Sequence, residues 1–137
     1  HRDLHSFPTR RSSELDLHRH ELAIDKKHFA AVKDGMHRVM EFGTGRWYPI
    51  EGIETAGKTG TAQNPHGKDH AIFIGFAPVD DPQIAVAVVV ENAGFGATWA
   101  CPVASLLFEQ YLTGGVKRTA LRKKMRESIL NESVQNW

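Results

Sequence analysis

Apolar positions follow a helical spacing in two segments, residues 25–42 and residues 98–112. Residues three, four and seven apart share one face of a helix, so each segment predicts a helix with one buried face. Asp25 is a suitable N-cap, and glycines follow both segments where they favour a helix C-terminus. The predicted buried side chains are Phe29, Val32, Met36, Val39 and Met40 in the first helix and Val103, Leu106, Leu107 and Tyr111 in the second.

Between the two helices the pattern changes to that of strands, over residues 53–62, 71–77 and 84–91. The turn-forming clusters at residues 64–67 and 78–82 are short enough for antiparallel hairpins. The third strand, IAVAVVVE, is apolar on both faces, which predicts a sheet covered on both sides. The fold class is therefore α/β of the α+β kind, with a three-stranded antiparallel sheet flanked by N- and C-terminal helices.

The two ends of the chain differ from this central part. Residues 1–15 have no periodicity and resemble the translation of a sequencing adapter, so we expect a non-native or disordered segment without function. Residues 114–137 are rich in Lys and Arg, and they predict a solvated basic tail that is at most weakly helical. The domain itself is expected within residues 16–113.

Composition excludes several classes of function. Of the 137 residues, 41% are hydrophobic and 24% charged, an ordinary globular balance. A net charge of +1 gives no general attraction to nucleic acid or acidic lipid. The single cysteine, Cys101, excludes an internal disulfide and is expected to be a small buried residue. The eight histidines lack the spacing of a metal site, so neither a metal nor another cofactor is predicted.

Membrane-spanning and signal segments are not apparent in the sequence. No run approaches the roughly 18 apolar residues that suggest a transmembrane helix, and no signal peptide opens the chain. We therefore expect the chain to be soluble or to have lost its targeting segment.

The segment GIETAGKTGT, residues 52–61, fits two incompatible motifs. With Gly52, Gly57, Lys58 and Thr59 it satisfies the phosphate-loop pattern, which requires a helix beginning at the lysine and threonine. The following residues GTAQNP cannot open a helix, because they combine glycine, proline and strand-forming residues. The sequence therefore argues against a nucleotide site.

The second motif is Lys58-Thr59-Gly60, the K-T-G triplet of serine enzymes that react with penicillin. On a strand, Thr59 and Thr61 point to the same side, and Lys58 adds a positive charge. Gly60 has no side chain, so a peptide can lie against the backbone as an added strand. Such a strand can hold a carboxylate and direct an N–H toward a developing oxyanion. Three residues alone also fit an ordinary surface strand.

The longer segment AGKTGTAQ, residues 56–63, closely resembles the third active-site motif of class B penicillin-binding proteins. The helix ending in Gly43-Thr44-Gly45 and residues 73–92 are similar to that family too, and the resemblance covers roughly residues 16–126. The segments NPHGKDH and GFGATW most resemble the elongation subgroup, penicillin-binding protein 2, of Bacteroidota-type bacteria. The resemblance implies a β-lactamase/transpeptidase-like fold, of which this chain carries a part.

In that family a serine in S-x-x-K attacks the D-Ala-D-Ala end of a peptidoglycan stem peptide, assisted by an S-x-N motif. An amine of a neighbouring stem then takes the acyl group, and β-lactams trap the same serine. The resemblance implies that Lys58 supplies positive potential and that the Thr59 and Thr61 hydroxyls receive the carboxylate. It also implies that the Thr61 N–H is an oxyanion donor and that Gly60 contacts the substrate.

None of the serines of this chain begins S-x-x-K or S-x-N. They are Ser6, Ser12, Ser13, Ser105, Ser128 and Ser133. We therefore expect a C-terminal piece of a longer D,D-transpeptidase, inactive alone, whose parent is anchored in the cytoplasmic membrane with this domain in the periplasm. Expected partners of the parent are stem peptides, β-lactams and the cell-elongation machinery, with no nucleic acid or nucleotide.

Two alternatives remain open from the sequence. One is a β-lactamase-like or sensor relative that shares the K-T-G strand, and the other is a non-catalytic scaffold of the same fold. The sequence upstream would discriminate among them. Trp47 and Trp99 fit a cleft lining and an ordinary packing role equally well.

Overall fold

The computed structural model of the chain describes residues 23–128. Its elements are α1 (Lys26–Glu41), β1 (Ala56–Ala62), β2 (His70–Ala77), β3 (Ile84–Val90), α2 (Ala100–Thr113) and α3 (Thr119–Glu127). The strands form one sheet in the order β1-β2-β3, and both pairs are antiparallel. This confirms the predicted fold class. The segment 1–15 lies outside the described residues.

The central strand β2 contributes the middle of the core. Ala71, Phe73 and Ala77 point to one face of the sheet and are buried, while Phe73 lies opposite Thr59 of β1 and Val88 of β3. Side chains directly opposite one another share a face, so Thr59 lies on the core face of the sheet.

Strand β1 begins at Ala56, three residues later than predicted. Ile50 and Ile53 instead form an isolated antiparallel bridge, closed by a turn in which Gly52 has φ 72°. Glycine adopts this left-handed conformation without strain. The apolar residue at 53 therefore belongs to the turn before the strand.

Helix α2 packs on the core face, but with a different stripe from the predicted one. Leu107 and Tyr111 are exposed, and Val103 and Leu106 are only partly buried. The buried residues are Ala100, Cys101, Pro102, Ala104, Ser105, Phe108 and Glu109. Most of these side chains are small, so the helix can approach the sheet closely, with Phe108 as its large fully buried contact and Leu112 packed partly buried against the core.

Helix α1 begins as predicted, since the Asp25 carboxylate accepts a hydrogen bond of 2.9 Å from the Lys27 N–H. Of its predicted buried stripe, Met40 is buried, whereas Phe29 and Val32 are exposed. Only the C-terminal part of the helix reaches the core cluster that contains Phe73 and Phe108.

The other face of the sheet is open in the described part of the chain. Ile74 is exposed, and Val89 of β3 is 61% exposed. The prediction of a sheet covered on both faces is therefore wrong for residues 23–128. Within the same range, no helix is long and apolar enough to cross a membrane.

The segment after α2, predicted as a solvated tail, is fastened to the domain. Glu109 is only 3% exposed, and its carboxylate accepts hydrogen bonds from Arg118 Nε at 2.9 Å and from the Lys117 N–H at 3.0 Å. Arg118 also donates to Ser105 Oγ at 2.8 Å and to the Pro49 carbonyl at 3.1 Å. Helix α3 follows this anchor and has no buried residue.

Candidate functional site

The K-T-G residues lie on β1, which is an outer strand of the sheet in the described part of the chain. A Cβ on Gly96 would collide with the carbonyl oxygens of both Gly60 and Ile72, so these two oxygens lie close together between β1 and β2. In an antiparallel pair this arrangement marks the hydrogen-bonded positions, and the alternate residues direct their N–H and C=O groups outward. The N–H groups of Thr59 and Thr61 therefore face the outer edge of the sheet.

The Lys58 side chain supports this orientation. Its Nζ donates a 2.8 Å hydrogen bond to the carbonyl oxygen of Thr59, which the ammonium can reach because that carbonyl points outward. Lys58 is exposed and makes no ion pair among the described residues. Its positive charge is thus available at the outer edge.

Thr59 has a partner that sequence reasoning did not identify as a site residue. The hydroxyls of Thr44 and Thr59 are 2.8 Å apart, and either can be the donor. Thr44 stands between two glycines where a side chain would be crowded. A Cβ on Gly43 would lie 2.8 Å from the Val39 Cα, and one on Gly45 would displace the end of the flexible Met40 side chain. The sequence signal was the Gly-Thr-Gly triplet at the end of α1, which was considered only as a helix terminus and a family resemblance.

The two glycines of β1 have different structural roles. A Cβ on Gly57 would collide with the Phe73 ring and lie 2.9 Å from the Ile74 carbonyl oxygen, so internal packing excludes a side chain there. A Cβ on Gly60 would meet only Ile72, at 3.4 Å, which is an ordinary contact. The fold of residues 23–128 therefore requires glycine at 57 but not at 60.

The segment between β3 and α2 crosses the core face of β1 and β2. Gly96 lies against the backbone of Gly60, with the Gly60 nitrogen 3.1 Å from the position of a Cβ on Gly96. The segment is held by polar contacts to the β1–β2 turn, including Asn64 Nδ2 to Asn92 Oδ1 at 2.6 Å and the Gly94 N–H to the Asp69 carbonyl at 2.7 Å. These contacts fix the backbone beside Thr59 and Thr61.

A cleft of about 450 Å³ opens beside Thr44. Its walls come from the connector after α1 and from the segment before α2, and its lining includes Thr44, Arg46, Trp47 and Thr98. Trp47 is 69% exposed, and Arg46 places its guanidinium carbon 4.6 Å from the centre of the Trp47 ring. Trp99, by contrast, packs against the core, so of these two tryptophans Trp47 is the one that lines the cleft.

The buried polar groups near the site are not poised for covalent chemistry. Burial raises the pKa of the Cys101 thiol to about 12, so the thiol stays protonated near neutral pH. Burial, with a smaller contribution from Cys101, also raises the pKa of the Tyr48 phenol. Ser105 is buried and donates its hydrogen bond to the Tyr48 carbonyl at 2.8 Å. Residues 23–128 contain no cluster of three potential metal-binding side chains.

The chain is similar in sequence to a known protein family and to several of its members. The family described as the penicillin binding protein transpeptidase domain matches residues 10–111. The chain is 38% identical over 96 residues to the peptidoglycan D,D-transpeptidase MrdA of Acinetobacter baumannii, covering 59% of this chain and 14% of that protein. It is 43% identical over 82 residues to the stage V sporulation protein D of Bacillus subtilis, covering 53% and 13% respectively. The chain thus spans about a seventh of the length of these relatives.

Solved structures show the same similarity. Penicillin-binding protein 2 of Pseudomonas aeruginosa, in complex with WCK 5153, aligns with a TM-score of 0.59 at 39% identity, over 69% of this chain and 22% of that one. Penicillin-binding protein A of Mycobacterium tuberculosis, as a ceftriaxone acyl-enzyme complex, aligns with a TM-score of 0.60 at 32% identity, over 65% and 22%.

Proposed function

Because this chain belongs to the penicillin-binding protein transpeptidase domain family, we propose that it is the K-T-G portion of a peptidoglycan D,D-transpeptidase. The parent would cross-link stem peptides through a serine acyl-enzyme. One observation carries this proposal. On the edge of the sheet that is outermost within residues 23–128, the Thr61 N–H and the Thr59 carbonyl that accepts from Lys58 both point outward, next to the Thr44–Thr59 hydroxyl pair. A carboxylate and a nearby carbonyl of one peptide can be bound along such an edge.

Each residue has a distinct role in this proposal. The Thr59 and Thr61 hydroxyls bind the terminal carboxylate of the stem peptide or the carboxylate of a β-lactam. Lys58 supplies positive potential, since its ammonium is exposed and has no acidic partner in the described region. The Thr61 N–H donates to the oxyanion of the tetrahedral intermediate, which lowers its energy where charge develops.

Thr44 and Gly60 support the same chemistry. The Thr44 hydroxyl holds the Thr59 hydroxyl in one orientation, at a distance of 2.8 Å. Gly60 leaves the backbone bare at a position where the fold itself would accept a side chain. A ligand that lies against the strand gives a reason for glycine at that position, which internal packing does not.

The nucleophile of the parent is proposed to come from upstream sequence. No serine of this chain begins an S-x-x-K or S-x-N motif. Ser105 is buried, and its hydroxyl donates a hydrogen bond to the Tyr48 carbonyl. We therefore propose that the chain alone does not react with β-lactams. The MrdA relatives and the similarity to penicillin-binding protein 2 support a parent of that subgroup. From the sequence resemblance we further propose that the parent is anchored in the membrane with this domain in the periplasm and acts with elongation partners. A Bacteroidota-type origin remains a proposal from the sequence.

Labelling with a fluorescent penicillin, followed by denaturing electrophoresis, tests the proposal. The 137-residue chain should give no labelled band, and the full-length parent should give one that is lost when its S-x-x-K serine is changed to alanine. A labelled band from the chain alone would show that one of its own serines is activated. A parent without the S-x-x-K and S-x-N motifs would favour the scaffold alternative, and one that rapidly hydrolyses the drug would favour a β-lactamase-like relative.

A further inference from the structure

The cleft beside Thr44 carries one positive charge that the described part of the chain does not neutralise. Arg46 is exposed and forms no ion pair among residues 23–128. Within that range its guanidinium donates one long hydrogen bond, from Nη1 to the Phe42 carbonyl at 3.4 Å. Its remaining N–H groups can therefore bind an anion that enters the cleft.

The Arg46 guanidinium is also held in place. It lies 4.6 Å from the centre of the Trp47 ring, a distance at which a cation is attracted to the aromatic face. The guanidinium is planar and presents a rigid fork of donors that matches a carboxylate. Trp47 in turn offers a large, mostly exposed aromatic surface next to that fork.

The cleft is continuous with the proposed carboxylate site through Thr44. This threonine lines the cleft and its hydroxyl contacts the Thr59 hydroxyl. An extended peptide whose terminal carboxylate lies at Thr59 therefore has a path into the cleft. A volume of about 450 Å³ accommodates one or two residues of such a peptide.

We propose that Arg46 and Trp47 form a second subsite, which binds an internal carboxylate of an acidic peptide whose end lies on β1. Arg46 pairs with the carboxylate, and Trp47 packs against the peptide beside it. This inference rests on the proposed function, because it extends the same peptide away from the K-T-G strand. It makes the preferred substrate a peptide with two carboxylates, one terminal and one internal.

The test compares two synthetic peptides that end in D-Ala-D-Ala and differ only in an upstream glutamate or glutamine. Binding to the 137-residue chain and to the full-length parent is followed by the NMR signal of the Trp47 indole N–H. We expect the glutamate peptide to bind about fivefold more tightly, the effect of one exposed ion pair, and the preference to decrease with salt. Arg46→Gln should abolish the preference, Arg46→Lys should keep part of it, and Arg122→Gln on α3 should leave it unchanged.

Equal binding of the two peptides, or a preference that survives Arg46→Gln, would overturn the subsite. If the subsite fails in this way but the parent still reacts with fluorescent penicillin, the proposed transpeptidase function stands. Conversely, a glutamate preference that depends on Arg46, in a parent that penicillin does not label, supports the subsite and refutes the transpeptidase assignment. The two failures are therefore distinguishable.

Discussion

Replacing Arg118 with methionine should lower the stability of the domain markedly. The substitution leaves the Glu109 carboxylate, which is 3% exposed, with the Lys117 N–H as its remaining partner. It also removes the donors to Ser105 Oγ and to the Pro49 carbonyl. Removing one partner of a buried ion pair typically costs about 3–5 kcal/mol. Because the Arg118 side chain is 23% exposed, water can reach part of the vacated space, and we expect a loss of about 3 kcal/mol.

Urea unfolding of the 137-residue chain, followed by tryptophan fluorescence, measures this loss. With a urea dependence of about 1–3 kcal/mol per molar, the midpoint should fall by roughly 1–3 M. Glu109→Gln should cost less, because Arg118 keeps its carbonyl partners and its access to water. The double variant Glu109→Met with Arg118→Met should recover part of the loss, since it leaves no buried charge unpaired.

Arg122→Met on α3 is the matched control, because Arg122 is exposed and belongs to the same basic segment. If Arg118→Met lowers the free energy of unfolding by less than about 1 kcal/mol, or no more than the control does, the ion pair does not anchor this segment. The reasoning from burial would then be refuted.

Three further outcomes are expected. Gly57→Ala should lower the free energy of unfolding of the domain by about 1–3 kcal/mol, because the added Cβ collides with the core. Gly60→Ala, by contrast, should leave the urea midpoint nearly unchanged but slow the acylation of the parent by β-lactams. Thr44→Val should reduce that acylation rate about fivefold, because it loses one hydroxyl contact, whereas Thr44→Ser should keep the rate. If the Val and Ser variants acylate at the same rate, the Thr44 hydroxyl has no role in the site. Stability should fall as the pH rises from about 8.5 toward 10, by at most about 1.4 kcal/mol per pH unit, because burial raises the Cys101 pKa to about 12 and this thiol ionises near pH 8.5 only in the unfolded chain. Cys101→Ala should lack this slope below about pH 10, above which the raised pKa of Tyr48 contributes a slope of the same sign.

The sequence predicted the sheet well because its turns are local. Residues 64–67 contain a proline and a glycine and residues 78–82 contain two prolines, which favour a turn regardless of the tertiary contacts around it. The start of β1 was misplaced because Ile53 pairs with Ile50 across a short turn, and a run of apolar residues does not reveal such a pairing. The buried face of α2 was misassigned because the prediction favoured large side chains, whereas small ones such as Ala104 make the close contact.

Within the candidate site, the sequence identified the residues that lie together on one strand. The strand period alone relates Thr59 to Thr61, and Lys58 precedes them in the K-T-G triplet. Thr44 was missed because its contact with Thr59 joins separate elements, and no periodicity connects residues fifteen apart in that way. Arg118 was missed for a similar reason, since nothing in the sequence distinguishes it from the other arginines of the basic segment as the partner of a buried glutamate.

The position of Gly96 against the backbone of Gly60 also has a consequence for the time at which the site forms during protein synthesis. At about 5–20 residues per second, Gly96 emerges from the ribosome roughly 2–7 s after Gly60. During that interval the nascent strand has no cover from this segment or from α2, and an unprotected strand edge invites pairing with other chains. Lysine on an edge strand opposes such pairing, so we expect Lys58 to protect the newly made strand before the proposed ligand site has formed.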